Sequence, residues 1–203
     1  MAEIGTDIAY AASLLREGKL VGIPTDTVYG VAGNAFDESA IRKIYKAKNR
    51  PMNLPLIAQV DSIEKAEILT SDFPEKGKTL VEKYWPGPLT LVVKKSEMIP
   101  SVMVNGGATV GIRIPNHSLT LDLLSMLDFP LAVPSANIHG QPSAVTANEV
   151  NDQIGDEIDY ILDGGKCAIS FESTLVGFDG EDLVILRSGA ISQKELESSL
   201  KKS

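Results

Sequence analysis

The chain has 203 residues, of which 43% are hydrophobic and 23% charged, and its formal net charge at pH 7 is −8. A chain of this length buries enough apolar surface to fold without disulfides, so we expect residues 1–203 to form a single domain. The acidic balance argues against broad electrostatic binding of nucleic acid, although it leaves room for a local basic groove.

Several classes of protein are excluded by what the sequence lacks. Cys167 has no partner for an intramolecular disulfide, and with no recognisable signal peptide this favours a cytoplasmic protein. No apolar run approaches the ~20 residues of a membrane span. His117 and His139 occur without HExxH or CxxC spacing, so we predict no metal site built from protein ligands. Walker, Rossmann and GxSxG loops are also absent.

Hydrophobic periodicity predicts helices and short strands that alternate along the chain. In the first half it predicts helices over 7–18, 37–46, 61–69 and 75–84 and strands over 20–23, 54–60 and 89–95. In the second half it predicts a strand over 109–114, a helix over 119–127, strands near 129–134 and over 159–162, and a hairpin over 173–190 turning at Asp179-Gly180. Ser192 and Glu195 are expected to cap a last helix. Such interleaving predicts an α/β or α+β fold, with a mixed sheet covered by helices.

Polar residues gather where the predicted elements end. They are Thr25 to Thr27, Lys48 to Arg50, Arg113, Ser135 to Asn137, Ser173-Thr174 and Arg187. Ligands of open sheets bind at strand ends. Because this set is rich in cations, hydroxyls and amides and has few carboxylates, it predicts an anion-binding site.

The stretch "KAKNRPMNLPL" carries two cations just before a proline. Pro51 disfavours the helical region for Arg50, so an extended Lys48 to Arg50 segment would direct both side chains to one face. A flexible ammonium and a planar guanidinium on one face suit a polyphosphate. The alternative is a solvated helix end, where cations favour the C-terminal dipole.

Ser135 and Asn137 stand in the same i, i+2 relation, which would direct a hydroxyl and an amide to one side. The alternative is a polar turn in which Asn137 bonds nearby backbone. Arg113 lies in an apolar strand, "TVGIRIP", with no acidic residue nearby in sequence. We therefore expect a substrate carboxylate to be the partner of Arg113. The alternative for both Arg113 and Arg187 is that each is an arginine at the edge or rim of the sheet.

Seven stretches in order carry a family resemblance: "PTDTVYG", "KNRP" followed by "PLI", "WPGPLTLV", "VGIRIP", "PSAN" with "GQPSA", "STLV" and "ILRSGA". From about Leu20 to Ile191 the chain resembles the YrdC-like family of L-threonylcarbamoyladenylate synthases, in its short, single-domain form. The family's KxR and SxN signature matches Lys48-Asn49-Arg50 and Ser135-Ala136-Asn137. The resemblance implies a twisted, mixed sheet with flanking helices around a concave, cationic cavity.

The resemblance also implies an activity. L-threonine, bicarbonate and ATP would give threonylcarbamoyl-AMP and pyrophosphate, a nucleotidyltransferase reaction. The product would serve a downstream threonylcarbamoyl transferase complex that modifies adenosine in tRNA. Mg²⁺ would be carried by the ATP phosphates. A direct contact with tRNA or another RNA is left open, and no membrane partner is expected.

The family's functional positions transfer residue by residue. Those expected to contact ATP, including the catalytic signature residues, are Lys48, Arg50, Leu54, Thr109, Ser135, Asn137, Ser143 and Arg187. Those expected to contact L-threonine are Thr27, Gln59, Arg113, Val133 and Ser173. Gln59 replaces a frequent family histidine, and His139 replaces a small residue, so the fit at both positions is open.

Two other functions are compatible with the residues. One is an RNA-binding module of the same fold without adenylation activity, which would show a steep salt dependence of RNA affinity. The other is a carbamoyl-phosphate-using relative, which the absence of cysteine pairs disfavours.

Overall fold

The structure is a computed structural model that describes residues 1–201. In that part of the chain the α-helices are Ile8–Arg16 (α1), Glu38–Ala47 (α2), Ile63–Ile68 (α3), Glu75–Tyr84 (α4), Ser118–Ser125 (α5), Ala147–Ile154 (α6) and Gln193–Leu200 (α7). The β-strands are Glu3–Gly5 (β1), Val21–Ile23 (β2), Gly30–Asn34 (β3), Ile57–Gln59 (β4), Thr70–Asp72 (β5), Leu89–Lys95 (β6), Thr109–Arg113 (β7), Leu131–Ala132 (β8), Tyr160–Leu162 (β9), Thr174–Asp179 (β10) and Asp182–Arg187 (β11). A short 3-10 helix spans Ser101–Val104.

The strands form one mixed sheet in the order β1-β9-β2-β3-β8-β4-β7-β6-β10-β11, and β5 pairs with β6. Parallel pairs (β1 with β9, β2 with β9, β4 with β7, β6 with β10) are interspersed with antiparallel pairs along this order. Because the parallel pairs need crossover connections, helices separate many of the strands in the chain. The predicted mixed α/β sheet is confirmed.

The core divides into two apolar clusters. One packs α1 and α5 against β2, β8 and β9, with Leu15 and Leu123 fully buried. The larger one includes the inward faces of α2, α4, α6 and α7. No helix that the structure describes is long and apolar enough to cross a bilayer.

The elements with the strongest local signals match their predictions. The α4 helix and the β6 strand have the predicted bounds. The α1 helix is followed by Gly18, whose φ of +70° is the left-handed conformation that glycine adopts readily. Ser192 and Glu195 form a reciprocal capping box at α7. The hairpin is present, but its turn lies at Gly180-Glu181, one residue later than predicted, because Asp179 still pairs with Asp182.

Three strands were not predicted, namely β1, β3 and β5. The sequence of β3, "GVAGN", carries two glycines that weaken any strand propensity. The structure needs at least one of them, because a Cβ on Gly30 would collide with Val133 Cγ1. This close approach brings β3 next to the segment that follows β8, and both border the cavity described below.

Candidate active site

A cavity of about 380 Å³ opens at one edge of the sheet. It lies between the end of α2, the ends of β4 and β7, the segment after β8, the loop before β10 and the end of β11. The predicted site residues that line it are Thr27, Lys48, Arg50, Gln59, Arg113, Val133, Ser135, Asn137, Ser173 and Arg187. Each of the six polar segments singled out in the sequence therefore contributes at least one residue to the cavity.

Lys48 joins the two halves of the signature. Its side chain is 1% exposed, and its ammonium donates hydrogen bonds to the carbonyl oxygen of Ser135 and to both oxygens of Asn137. An ammonium has three donors, so all of them are used. The backbone N–H of His139 also donates to the Lys48 carbonyl, at 2.8 Å. The KxR segment thus holds the SxN segment in place.

The prediction that Lys48 to Arg50 is extended is wrong. Lys48 is the C-cap of α2, with φ −88° and ψ −7°, and Asn49 takes a left-handed φ of +49°. The N–H of Arg50 bonds the carbonyl of Tyr45, and that of Asn49 bonds the carbonyl of Lys46, which is a Schellman motif. The helix-end alternative was right about the backbone, although Lys48 is buried rather than solvated.

Burial affects the titration of both signature cations. It is the main cause that lowers the pKa of Lys48, to about 7, and the charge of Arg50 lowers it further. Burial also lowers the pKa of Arg50, whose guanidinium donates to the carbonyls of Leu54 and Pro55. The cations therefore lie in a partly desolvated place, where an incoming anion gains more than it would in water.

Ser135 and Asn137 form the polar turn that was the alternative interpretation. The Ser135 hydroxyl donates to Asn137 Oδ1, and the Asn137 amide donates to the carbonyls of Ile138 and Gln141. The N–H of Asn137 bonds the Ser135 carbonyl at 3.1 Å. Both residues nevertheless line the cavity, so the turn and the binding site are the same structure.

Arg113 has a protein partner, contrary to expectation. Its Nη2 lies 2.5 Å from Asp26 Oδ1, its Nη1 donates to Thr27 Oγ1 at 2.7 Å, and its Nε donates to the carbonyl of Gly87 at 2.9 Å. The side chain is 3% exposed and that of Asp26 is 7% exposed, so this is a buried ion pair. Three of the five guanidinium N–H groups are engaged, and two are left for a ligand.

Gln59 and Arg113 are neighbours across paired strands. Gln59 is 2% exposed, and its Oε1 is buried without a hydrogen-bond donor. A buried acceptor without a donor costs free energy, which a ligand N–H or O–H facing it would recover. The hydroxyls of Thr27 and Ser173 are deeply buried as well, and both already bond protein groups. The N–H of Val133 bonds the Ile57 carbonyl.

Arg187 brings in a carboxylate that the sequence interpretation missed. Its Nε and Nη2 donate to the Ser173 carbonyl, and its Nη1 lies 2.8 Å from Glu172 Oε2. Glu172 Oε1 accepts from the Ser143 hydroxyl at 3.1 Å. Glu172 precedes the "STLV" motif directly, but it lies in a loop without periodicity, so the only available signal was its position beside Ser173.

Leu54, Thr109 and Ser143 are not among the cavity-lining residues, although the Ser143 hydroxyl donates a hydrogen bond to Glu172, which does line the cavity. The carbonyl of Leu54 accepts hydrogen bonds from Arg50 and from the Tyr45 hydroxyl, so it supports the site from outside. Thr109 begins β7, at the opposite end of the strand from Arg113, and its side chain is exposed. His139 does line the cavity.

Comparisons with known proteins identify the family of the chain. A family model for the Sua5/YciO/YrdC domain, described as telomere recombination, matches residues 13–189. The chain is 44% identical over 190 residues to the threonylcarbamoyl-AMP synthase of Pyrococcus abyssi, and 42% identical over 192 residues to that of Bacillus subtilis. Each alignment covers 94% of this chain and 56% of the relative, so the chain spans little more than half the length of these relatives.

Solved structures give the same result. The crystal structure of P. abyssi Sua5 complexed with L-threonine matches with a TM-score of 0.93 and 40% identity, over 98% of this chain and 60% of that one. Escherichia coli YciO matches with a TM-score of 0.84 over 97% of this chain and 100% of that chain, at 19% identity, which is evidence for the fold alone. The chain belongs to the Sua5/YciO/YrdC family, as its motifs predicted.

Proposed function

We propose that this chain is an L-threonylcarbamoyladenylate synthase, which forms threonylcarbamoyl-AMP and pyrophosphate from L-threonine, bicarbonate or CO₂, and ATP. One observation carries the proposal: Lys48, Ser135 and Asn137 are hydrogen-bonded to each other at the wall of a cavity that also contains Arg113. The similarity to threonylcarbamoyl-AMP synthases, and to the P. abyssi Sua5 structure in complex with L-threonine, supports it.

The nucleotide would occupy the cationic side of the cavity. Arg50 and Arg187 present guanidinium groups there, and Lys48 contributes a buried positive charge behind the SxN turn. All three N–H groups of the Lys48 ammonium already donate to Ser135 and Asn137. Its role would therefore be to position these two residues and to supply positive charge. The pocket's donors suit the oxygens of a triphosphate.

The amino acid would lie against the other wall. Arg113 has two free N–H groups for the threonine carboxylate, and they would form a forked contact beside Asp26. The buried Oε1 of Gln59 would accept a hydrogen bond from the threonine amine or hydroxyl. Glutamine does not titrate, so in this chain the position would serve binding and not proton transfer.

The chemistry needs no protein nucleophile. The threonine amine would attack CO₂ and release a proton to form a carbamate, whose oxygen would attack the α-phosphorus while pyrophosphate leaves. Negative charge grows on the phosphate oxygens, and the guanidinium groups of Arg50 and Arg187 would stabilise it. Among residues 1–201 there is no cluster of three His, Cys, Asp or Glu side chains that could hold a metal. Mg²⁺ would therefore be held by the ATP phosphates, and it would neutralise part of their charge.

The proposed product is a reactive mixed anhydride, so it would be passed to a transferase that modifies tRNA. Binding of RNA by a module without adenylation activity is the competing function. The net charge of −8 counts against it, because nucleic-acid affinity depends on cations spread along a surface.

Incorporation of radiolabelled bicarbonate tests the proposal. The purified chain should transfer the label into an adenylated product only when ATP and L-threonine are both present. Each of the other amino acids in turn, and an Arg50→Ala variant of confirmed fold, serve as controls. RNA binding with a steep salt dependence and no labelled product would favour the competing function.

A further inference from the structure

Glu172 occupies donors that the proposed nucleotide would need. Its Oε2 pairs with Arg187 Nη1 at 2.8 Å, and its Oε1 accepts from the Ser143 hydroxyl at 3.1 Å. Ser143 and Arg187 are both positions at which the family resemblance implies contacts to ATP. A carboxylate and a phosphate oxygen compete for the same donors, so the two anions cannot bind them simultaneously.

The charge of Glu172 also reaches the other cations. It raises the pKa of Lys48 and of Arg50, although in both cases burial outweighs it and the net shift is downward. Arg50 in turn senses the positive charge of Arg187. Glu172 therefore faces a cluster of three cations, and among the described residues that line the cavity it is the acidic one.

The backbone beside Glu172 is firmly placed, whereas its side chain has room to move. The Glu172 carbonyl accepts a hydrogen bond from Ala190 N–H at 3.1 Å. Gly189 packs so closely that a Cβ there would collide with the Glu172 carbonyl oxygen. The carboxylate side chain is 39% exposed. A rotation of the side chain can thus release Arg187 and Ser143 without any movement of the loop.

We propose that Glu172 is a built-in competitor of the nucleotide: its carboxylate pairs with Arg187 and Ser143 before the nucleotide binds, and the ATP phosphates displace it. This inference rests on the proposed function. Because the carboxylate can pair again with Arg187 and Ser143, it also favours departure of pyrophosphate once the reaction has taken place. Glu172 would weaken polyphosphate binding in exchange for faster release of the leaving group.

The Glu172→Gln substitution separates charge from shape. Glutamine keeps an acceptor for Ser143 and loses the negative charge that competes with phosphate. Because the Glu172–Arg187 pair is about two-fifths exposed, its loss should tighten binding by about 1.5–5-fold, the range measured for exposed ion pairs. Glu172→Asp, which keeps the charge on a shorter side chain, should stay within about twofold of the wild type.

The experiment is calorimetric titration of inorganic tripolyphosphate, and separately ATP, into the wild type and each variant. Glu157→Gln is the matched control, since it neutralises a carboxylate that pairs with Lys46 on the surface and not in the cavity. It should bind as the wild type does. In an Arg187→Gln background the gain from Glu172→Gln should shrink, because the contested donor has already been removed. Threonine affinity should not change in Glu172→Gln.

The outcomes are distinct. Tighter binding of tripolyphosphate by Glu172→Gln but not by Glu157→Gln supports the inference. If the wild type binds normally and Glu172→Gln binds equally well or more weakly, the inference alone is overturned. It is also overturned if Glu172→Gln loses turnover at unchanged affinity, because Glu172 would then be a proton acceptor. A wild-type chain that binds neither ATP nor tripolyphosphate overturns the proposed function as well.

Discussion

The ion pair between Asp26 and Arg113 gives the most quantitative prediction of stability. Asp26 Oδ1 accepts hydrogen bonds from Arg113 Nη2 and from Asn116 N–H, and both charged side chains are at least nine-tenths buried. The Asp26→Asn substitution keeps a carbonyl acceptor at this position and removes the charge. It leaves Arg113 as a buried cation without a counter-ion.

Loss of one partner from a buried pair costs about 3–5 kcal/mol. Since asparagine retains both hydrogen bonds, we expect the lower end, a decrease of about 3 kcal/mol in the free energy of unfolding. For a chain of this size that corresponds to a melting temperature about 6–12 °C lower. Urea unfolding followed by circular dichroism, together with a thermal melt, measures both quantities.

The matched control is Glu38→Gln, which removes the charge from an exposed pair with Arg42. Pairs of this kind contribute little, so the control should lie within about 0.5 kcal/mol of the wild type. If Asp26→Asn is also within about 1 kcal/mol of the wild type, then Asp26 does not supply the charge that Arg113 requires, and the reasoning about the buried pair fails.

Three further predictions concern binding and turnover. Arg50→Ala should keep the fold and raise the barrier to adenylation by about 2–4 kcal/mol, measured as kcat/KM for pyrophosphate release; wild-type turnover would contradict this. Serine, which lacks only a methyl group, should be used about 10–200-fold less well than threonine, and valine less still. Equal use of valine would show that the pocket lined by Thr27, Gln59 and Ser173 does not bind the threonine hydroxyl. Lys48, whose pKa is about 7, is cationic only when it is protonated, so ATP affinity should fall as the pH rises from about 7.5 to 9. Phosphate no longer titrates in this range. A Lys48→Met variant should bind ATP more weakly than the wild type, and its affinity should not fall over the same range.

The sequence predicted correctly those elements whose structure depends on residues close together in the chain. The periodicity of α4 and the alternation in β6 gave correct bounds, and the serine and glutamate at the start of α7 form the expected capping box. The β3 strand was missed because its two glycines weaken strand propensity, and one of them, Gly30, permits a close approach to Val133. That contact arises from tertiary packing, which a window of sequence does not contain.

In the site, too, local motifs were predicted correctly and contacts between distant residues were not. The signature stretches were recognisable as motifs, and they do meet in one cavity. The conformation of Lys48 to Arg50 was mispredicted because the residue that matters is Asn49, whose tolerance of left-handed backbone ends α2 in a Schellman motif. The partner of Arg113 was missed because Asp26 is 87 residues away in the chain. Pairing of buried charges over such a distance follows from the fold alone.

The central claim is that one cavity holds the nucleotide at Arg187 and the amino acid at Arg113. A crossed pair of calorimetric titrations, one with ATP and one with L-threonine, on Arg113→Lys and Arg187→Gln tests it most directly. Arg113→Lys keeps the charge but loses the forked contact, so it should weaken threonine binding by about tenfold or more and change ATP binding by less than about threefold. Arg187→Gln should show the reverse. If Arg113→Lys lowers ATP affinity and leaves threonine affinity untouched, the proposed division of the cavity is wrong.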